Sequence, residues 1–189
     1  GHAKAQFNLG NMHRVGKEIP QNSELAAYWF IKSAEQEHMV AQYNMGVAYA
    51  HGEGVPKNIS AALNWYNKAA EQGHAKAEYQ LGLMHKRGDG VSQSDEAAVI
   101  WFTKSAAQDN ASAQFNLGLM FDEGMGVIEN SKTAARWYTL ATQQGYAEAQ
   151  LRLALMYEVG RGVPKNAPTA LKLFALAAEQ GVALAQYNM

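Results

Sequence analysis

Apolar and small residues return at three- and four-residue intervals along the whole chain, the spacing that lays a stripe along one face of a helix. The stretch AKAEYQLGLMHKRG, residues 75–88, shows the first of two alternating patterns. It ends on a glycine, the residue best suited to a left-handed C-cap. A short linker follows, seen most clearly in Gly52-Glu53-Gly54-Val55-Pro56. Asn22, Asn58, Ser94, Asn130 and Asn166 occupy one place at the end of successive linkers. Asn and Ser there predict N-caps, because their side chains accept hydrogen bonds from the free amides of a first helical turn. A second helix of roughly 12–15 residues is then predicted, as in SAALNWYNKAAEQG from residue 60 to 73. Pro168 falls in the first turn of the last such helix, where a missing amide is tolerated.

This two-helix pattern has a fixed period. Trp29, Trp65, Trp101 and Trp137 are each 36 residues apart, and Gly10, Gly46, Gly82 and Gly118 keep the same step. Five units follow without insertion: 3–38, 39–74, 75–110, 111–146 and 147–182. Gly1-His2 matches Gly73-His74 at the end of a unit, and residues 183–189 (ALAQYNM) match the start of one, so the chain is expected to be a piece of a longer array. One hairpin cannot bury its own apolar stripe, whereas stacked neighbours can. The expectation is therefore an all-α fold, a single array over residues 1–189. It is a right-handed superhelical solenoid of helix-turn-helix repeats with a 36-residue period. The handedness is taken by analogy with other helix-pair arrays. Glycine in mid-helix costs about 1 kcal/mol relative to alanine, so its recurrence predicts close helix approach, with Ala26, Ala62, Ala98, Ala134 and Ala170 as the opposing residues. The tryptophans, each with the aromatic beside it, are expected to fill the wider space between hairpins. Leu173 replaces Trp in the fifth unit, where looser packing is expected.

Composition narrows the function. The formal net charge is −1, which gives no electrostatic reason to expect nucleic acid or an anionic membrane as partner. A hydrophobic content of 48% is enough to build a core. With no cysteine, disulfides, thiolate metal sites and a cysteine nucleophile are excluded. No apolar run approaches the roughly 18 residues that cross a bilayer, so membrane insertion is not expected.

The pattern A-x-A-Q-aromatic-x-L-G, G-x-G-V, A-x-x-W-aromatic, A-A-E-Q-G-H resembles the Sel-one-like repeat (SLR) family, relatives of the tetratricopeptide repeat. The second unit carries it almost complete. Ala41, Gln42, Tyr43, Met45 and Gly46 open it, and Gly52, Gly54 and Val55 mark the linker. Ala62, Trp65, Tyr66, Ala69, Ala70, Glu71, Gln72, Gly73 and His74 complete it. The departures are Glu18 and Glu37 for glycine in the first unit, Asp109 for glycine in the third, and Ala154 and Leu173 in the fifth. The resemblance implies a protein–protein interaction scaffold or adaptor with a protein or peptide partner. Family members assemble signalling complexes, serve protein quality control in the endoplasmic reticulum, or act in bacterial envelope and host-interaction functions. It leans the compartment toward the bacterial periplasm or secretion, with the cytoplasm as the alternative.

In tetratricopeptide relatives the first helices line a concave groove, and the corresponding stripe supplies the candidate partner-binding residues. They are Lys4, Asn8, Asn44, Val47, Lys76, Gln80, Leu83, Asn116, Leu119, Arg152 and Leu155. Val47, Leu83, Leu119 and Leu155 form an apolar ladder, which marks a recognition surface if exposed and packing between units if buried. Lys4, Asn8, Asn44, Lys76 and Gln80 are similar to the carboxylate clamp by which some tetratricopeptide proteins hold a peptide C terminus, although the clamp usually has a cation where Gln80 stands. Two ammonium groups neutralise a carboxylate while amides bond the peptide backbone. Plain solvated groove residues are the favoured reading of the set. The competing function is a structural spacer with no binding site of its own.

Catalytic, cofactor and metal chemistry find no candidates. His2, His38 and His74 recur at the turn between units, at separations of about a helix-packing distance, far beyond the roughly 2.1 Å of a metal–nitrogen bond. The G-x-G linkers follow a helix rather than a strand and lack a following Lys-Ser/Thr. No serine has a lysine three residues on. An enzyme is not expected. A terminal repeat usually carries a polar cap, so the C-terminal edge, with a first helix but no second, is predicted to self-associate.

Overall fold

A computed structural model describes residues 1–187, all of whose regular elements are helices. Asn188 and Met189, the end of the expected sixth unit, lie outside the described residues. The chain forms two compact units, Gly1–Gln93 and Ser94–Met189. The first holds α1 (Ala3–Val15), α2 (Ser23–Ala34), α3 (Met39–His51), α4 (Ile59–Glu71) and α5 (Ala75–Arg87). The second holds α6 (Asp95–Ala106), α7 (Ala111–Glu123), α8 (Ser131–Gln143), α9 (Ala147–Val159), α10 (Ala167–Glu179) and α11 (Ala183–Tyr187).

The expected caps set the helix ends. The Asn22, Asn58, Asn130 and Asn166 amide oxygens and the Ser94 hydroxyl each accept from the backbone amide three residues on. Gly16, Gly52, Gly88, Gly124 and Gly160 close the first helices in the left-handed region. Glu37 (φ 62°) and Asp109 (φ 58°) hold the left-handed turn that Gly73, Gly145 and Gly181 adopt at the same place, so these two departures keep the repeat's backbone at some steric cost. The second linker glycine serves close approach as well as φ. A Cβ on Gly54 would fall 1.9 Å from the Ser23 carbonyl oxygen, at the start of the preceding repeat's second helix.

Within each hairpin the close contact differs from the one expected. A Cβ on Gly46 would stand 2.5 Å from the Tyr66 ring, and on Gly118 2.6 Å from the Tyr138 ring. The glycine therefore makes room for the aromatic that follows tryptophan. The paired alanine is also buried in every repeat but is not the nearest opposing group; in the first, the Ala26 carbonyl oxygen stands 3.2 Å from a Cβ on Gly10, behind the Phe30 ring at 2.6 Å. Phe30, Tyr66, Phe102, Tyr138 and Phe174 are all buried, whereas the four tryptophans are half-buried. Lys68 and Lys104 lie over the Trp65 and Trp101 rings at 4.7 and 4.2 Å.

A chain of amides joins one repeat to the next. Buried Gln42 donates to the Ala34 carbonyl of the preceding repeat (3.3 Å) and accepts from Gln72 (2.7 Å). Gln114 does the same with Ala106 and Gln144, and Gln180 donates to Gln150. The two glutamines of the repeat pattern are thus bonded partners, and each satisfies a buried polar group that would otherwise cost about 1–3 kcal/mol.

Candidate functional site

In the first unit, α1, α3 and the start of α5 enclose an open groove of about 360 Å³. Phe7, Asn11 and Arg14 reach it from α1, where spacings of four and three put them on one helix face. Val40, Tyr43 and Asn44 come from the first turns of α3, and His74, Ala75 and Lys76 from the start of α5. Aromatic stacking fixes its floor. The Phe7 ring lies 4.7 Å from the His38 ring at 25°, and Tyr43 lies 4.6 Å from His74 at 23°. Each histidine is also an N-cap, its Nδ1 accepting from the amide of Ala41 or Ala77 at 3.2 Å. Nε2 therefore carries the proton of the neutral ring.

Burial pushes the His74 imidazole below its ordinary value, helped by the charge of Lys76, and raises the Tyr43 phenol. Burial and Lys4 lower His38 likewise. The groove's rings are thus held neutral, and its charge comes from Arg14 and Lys76, both exposed. Arg14 donates through Nε and Nη2 to the Asn11 amide oxygen at 3.4 and 3.2 Å, which restrains the guanidinium beside another lining residue.

Of the predicted partner-binding residues, the structure brings Asn44 and Lys76 together here. Lys4 and Asn8 are exposed on α1 outside the lining. Gln80 and Leu83 line a separate cavity of about 350 Å³ with His51, Lys57, Tyr66 and Arg87. Val47 lines a smaller one of about 80 Å³ that shares Arg14 and Asn44 with the groove. In the second unit Asn116 is half-buried and its amide donates to the Ser112 carbonyl in its own helix (2.9 Å), and Arg152 is half-buried. The apolar ladder is intermediate: Val47, Leu83, Leu119 and Leu155 are all half-buried, the last two packed on the core of the second unit.

Arg14 is the groove cation that sequence reasoning missed. Its signal was the face it shares with Phe7 and Asn11, one turn nearer the helix C terminus than Lys4 and Asn8. A second missed feature is an ion pair between repeats. Arg161 Nη2 donates to both carboxylate oxygens of Asp122 at 2.6 and 2.7 Å, and the Tyr138 hydroxyl lies 3.5 Å away. Asp122 is buried and Arg161 about half exposed. Arg14 and Glu53 occupy the same two register positions in the first unit with the charges exchanged; they line one cavity without forming an ion pair.

Helix pairs of one length, capped alike and repeated at one period, define a helix-hairpin repeat protein of the tetratricopeptide-like class. The chain belongs to the Sel1 repeat family, whose model matches residues 3–38, 40–74, 75–110, 111–146 and 147–182. No curated protein matches it by sequence. Among solved structures it is similar to c5321, a protective antigen present in uropathogenic Escherichia coli strains and displaying an SLR fold. The identity is 34% and the TM-score 0.95, over 98% of this chain and 40% of that one. It is also similar to a Sel1 repeat protein from Oxalobacter formigenes, with 35% identity and a TM-score of 0.90 over 97% of this chain and 73% of that one. The immunity protein Pa5087 from Pseudomonas aeruginosa shares the fold alone, at 24% identity and a TM-score of 0.60, over 97% of this chain and 67% of that one. The chain thus spans less than half the length of the E. coli protein. Sel1 repeat proteins are generally protein-interaction scaffolds and typically non-catalytic. No helix among the described residues is long and apolar enough to cross a membrane.

Proposed function

We propose that this chain is a scaffold segment that holds an extended stretch of a protein partner on the face formed by α1, α3 and α5. The observation that carries this reading is the groove itself. A stacked aromatic floor, two amides with both donors and acceptors (Asn11 and Asn44), and two exposed cations lie within one open cavity. The Asn44 amide and the Asn11 amide nitrogen are suited to the free N–H and C=O groups of an extended peptide, while the Asn11 oxygen holds Arg14. The groove's ring groups are neutral and serve as surface rather than as acid or base, so the chain carries no catalytic role in this reading. The half-burial of Leu119 and Leu155 supports a second role, for the second unit: a spacer packed for rigidity rather than for capture.

Selection of binders from a displayed library of random-sequence peptides tests the proposal. Selected peptides are expected to bind the chain and to lose about tenfold or more in affinity to a folded Asn11→Ala, Asn44→Ala variant, since each lost amide leaves bonds of about 1 kcal/mol unmade. Selected peptides that bind wild type and variant equally would move the site off this face. A selection yielding no binder would leave the spacer reading for the whole chain.

A further inference from the structure

The charges of the first helices are segregated although the chain as a whole is nearly neutral. In the first unit α1, α3 and α5 carry Lys4, Arg14, Lys76, Lys86 and Arg87 against a single carboxylate, Glu78, which is buried at 4% exposure. In the second unit the order is reversed: α7 and α9 carry Asp122, Glu123, Glu148 and Glu158 against Arg152. The second helices of the first unit are balanced, with Glu24 and Lys32 on α2 and Lys68 and Glu71 on α4. Of the first-helix cations Arg14 and Lys76 line the groove, which has no carboxylate in its lining, while Arg87 lines the separate cavity with Asp89. Arg14 and Lys76 form no ion pair with a carboxylate among the described residues. Glu53 shares the small adjoining cavity with Arg14 rather than the groove.

We infer that the α1–α3–α5 groove recognises an acidic segment of its protein partner, through the side-chain carboxylates of Asp or Glu. The inference rests on the groove reading above and names the chemistry of its occupant. A planar guanidinium already oriented by Asn11 offers a carboxylate two parallel N–H donors. Lys76, at the other wall, supplies a second point charge. Asn44 lies on α3, between the helices that carry these cations, and serves the backbone of the peptide. A face of one sign also steers an oppositely charged segment during encounter, which raises the association rate more than the final affinity. The amides favour a peptide over a nucleic acid, whose phosphates need cations along a longer track than this groove provides.

Fluorescence anisotropy with defined probes tests this. The probes are a fluorescein-labelled peptide of glutamates interspersed with leucine and tyrosine, its glutamine-for-glutamate counterpart, its lysine-for-glutamate counterpart, and a labelled oligothymidylate. The glutamate peptide is expected to bind tightest and to weaken as salt rises. The Arg14→Glu, Lys76→Glu protein should lose about tenfold or more of that affinity, and Arg14→Gln, Lys76→Gln a smaller part. Arg136→Glu, at an exposed position of α8, should leave it unchanged, with melting curves showing that each variant is folded. Equal binding of the glutamate and glutamine peptides, both weakened by Asn44→Ala, would overturn the acidic inference and leave the groove reading standing. Tighter binding of the oligothymidylate, lost on the same charge reversal, would overturn it in favour of a nucleic acid. No binding by any probe would overturn it too, and the peptide selection then decides the groove reading separately.

Discussion

His74 does two things at once: its Nδ1 caps α5 and its ring stacks on Tyr43. Both need the neutral ring or are best served by it, since protonating Nδ1 removes the acceptor. Burial, reinforced by Lys76, lowers its proton affinity in the folded chain, and His38 behaves alike through burial and Lys4. The unfolded chain then binds more protons than the folded one around the ordinary imidazole range, so stability rises with pH through it. The contribution is complete above the ordinary value and is lost as pH falls below it toward the lowered folded values. Thermal melting from about pH 7 down to about pH 5 should therefore show a fall in Tm that is smaller in His38→Asn, His74→Asn. Asn110 already caps α7 in the same position, so the variant keeps the cap. An undiminished fall would place the pH sensitivity elsewhere. The histidines were legible as a recurrence at the turn between units. Their double role was not, because it depends on the first-helix ring of the same repeat being placed over them.

The unit of packing is the hairpin, and its tightest point is the glycine opposite the buried aromatic. Gly46→Ala would gain about 1 kcal/mol of helix propensity, but its Cβ would stand 2.5 Å from the Tyr66 ring. Overpacking of this kind costs about 1–3 kcal/mol, so chemical denaturation is expected to show a net loss of about 1 kcal/mol. A net gain would mean that the ring yields freely. Ala154 is buried in the fifth repeat, where Phe174 is the buried aromatic, so the hairpin accepts a methyl group once its partner is arranged for it. At this scale the second-helix N-caps and the glycines that close the first helices were read from residue types alone, since each rests on a local backbone requirement, whereas the helix read over residues 60–73 runs Ile59–Glu71. The opposing residue of the mid-helix glycine was misassigned to alanine. Sequence spacing identifies which residues face each other but not which side chain turns inward, and here the buried ring is Tyr66 while Trp65 stays half-exposed under Lys68.

At the scale of the molecule the period was fully visible, because every repeat meets the same backbone requirements at its caps and turns. The site was only partly visible. Asn44 and Lys76 were named by analogy with relatives. Arg14 was not, because it is peculiar to the first unit and periodicity hides differences between units. The same holds for the exchanged charges of Arg14 and Glu53 against Asp122 and Arg161.

Site-specific photocrosslinking tests whether the α1–α3–α5 face is the working surface, with p-benzoylphenylalanine replacing Val40, which lines the groove, or, separately, Asn64 on the exposed side of α4, each irradiated with a selected peptide. A crosslinked product is expected from position 40 that an excess of unlabelled peptide removes, and none from position 64. A specific product from position 64 with none from position 40 would contradict this, and would assign binding to the second helices instead.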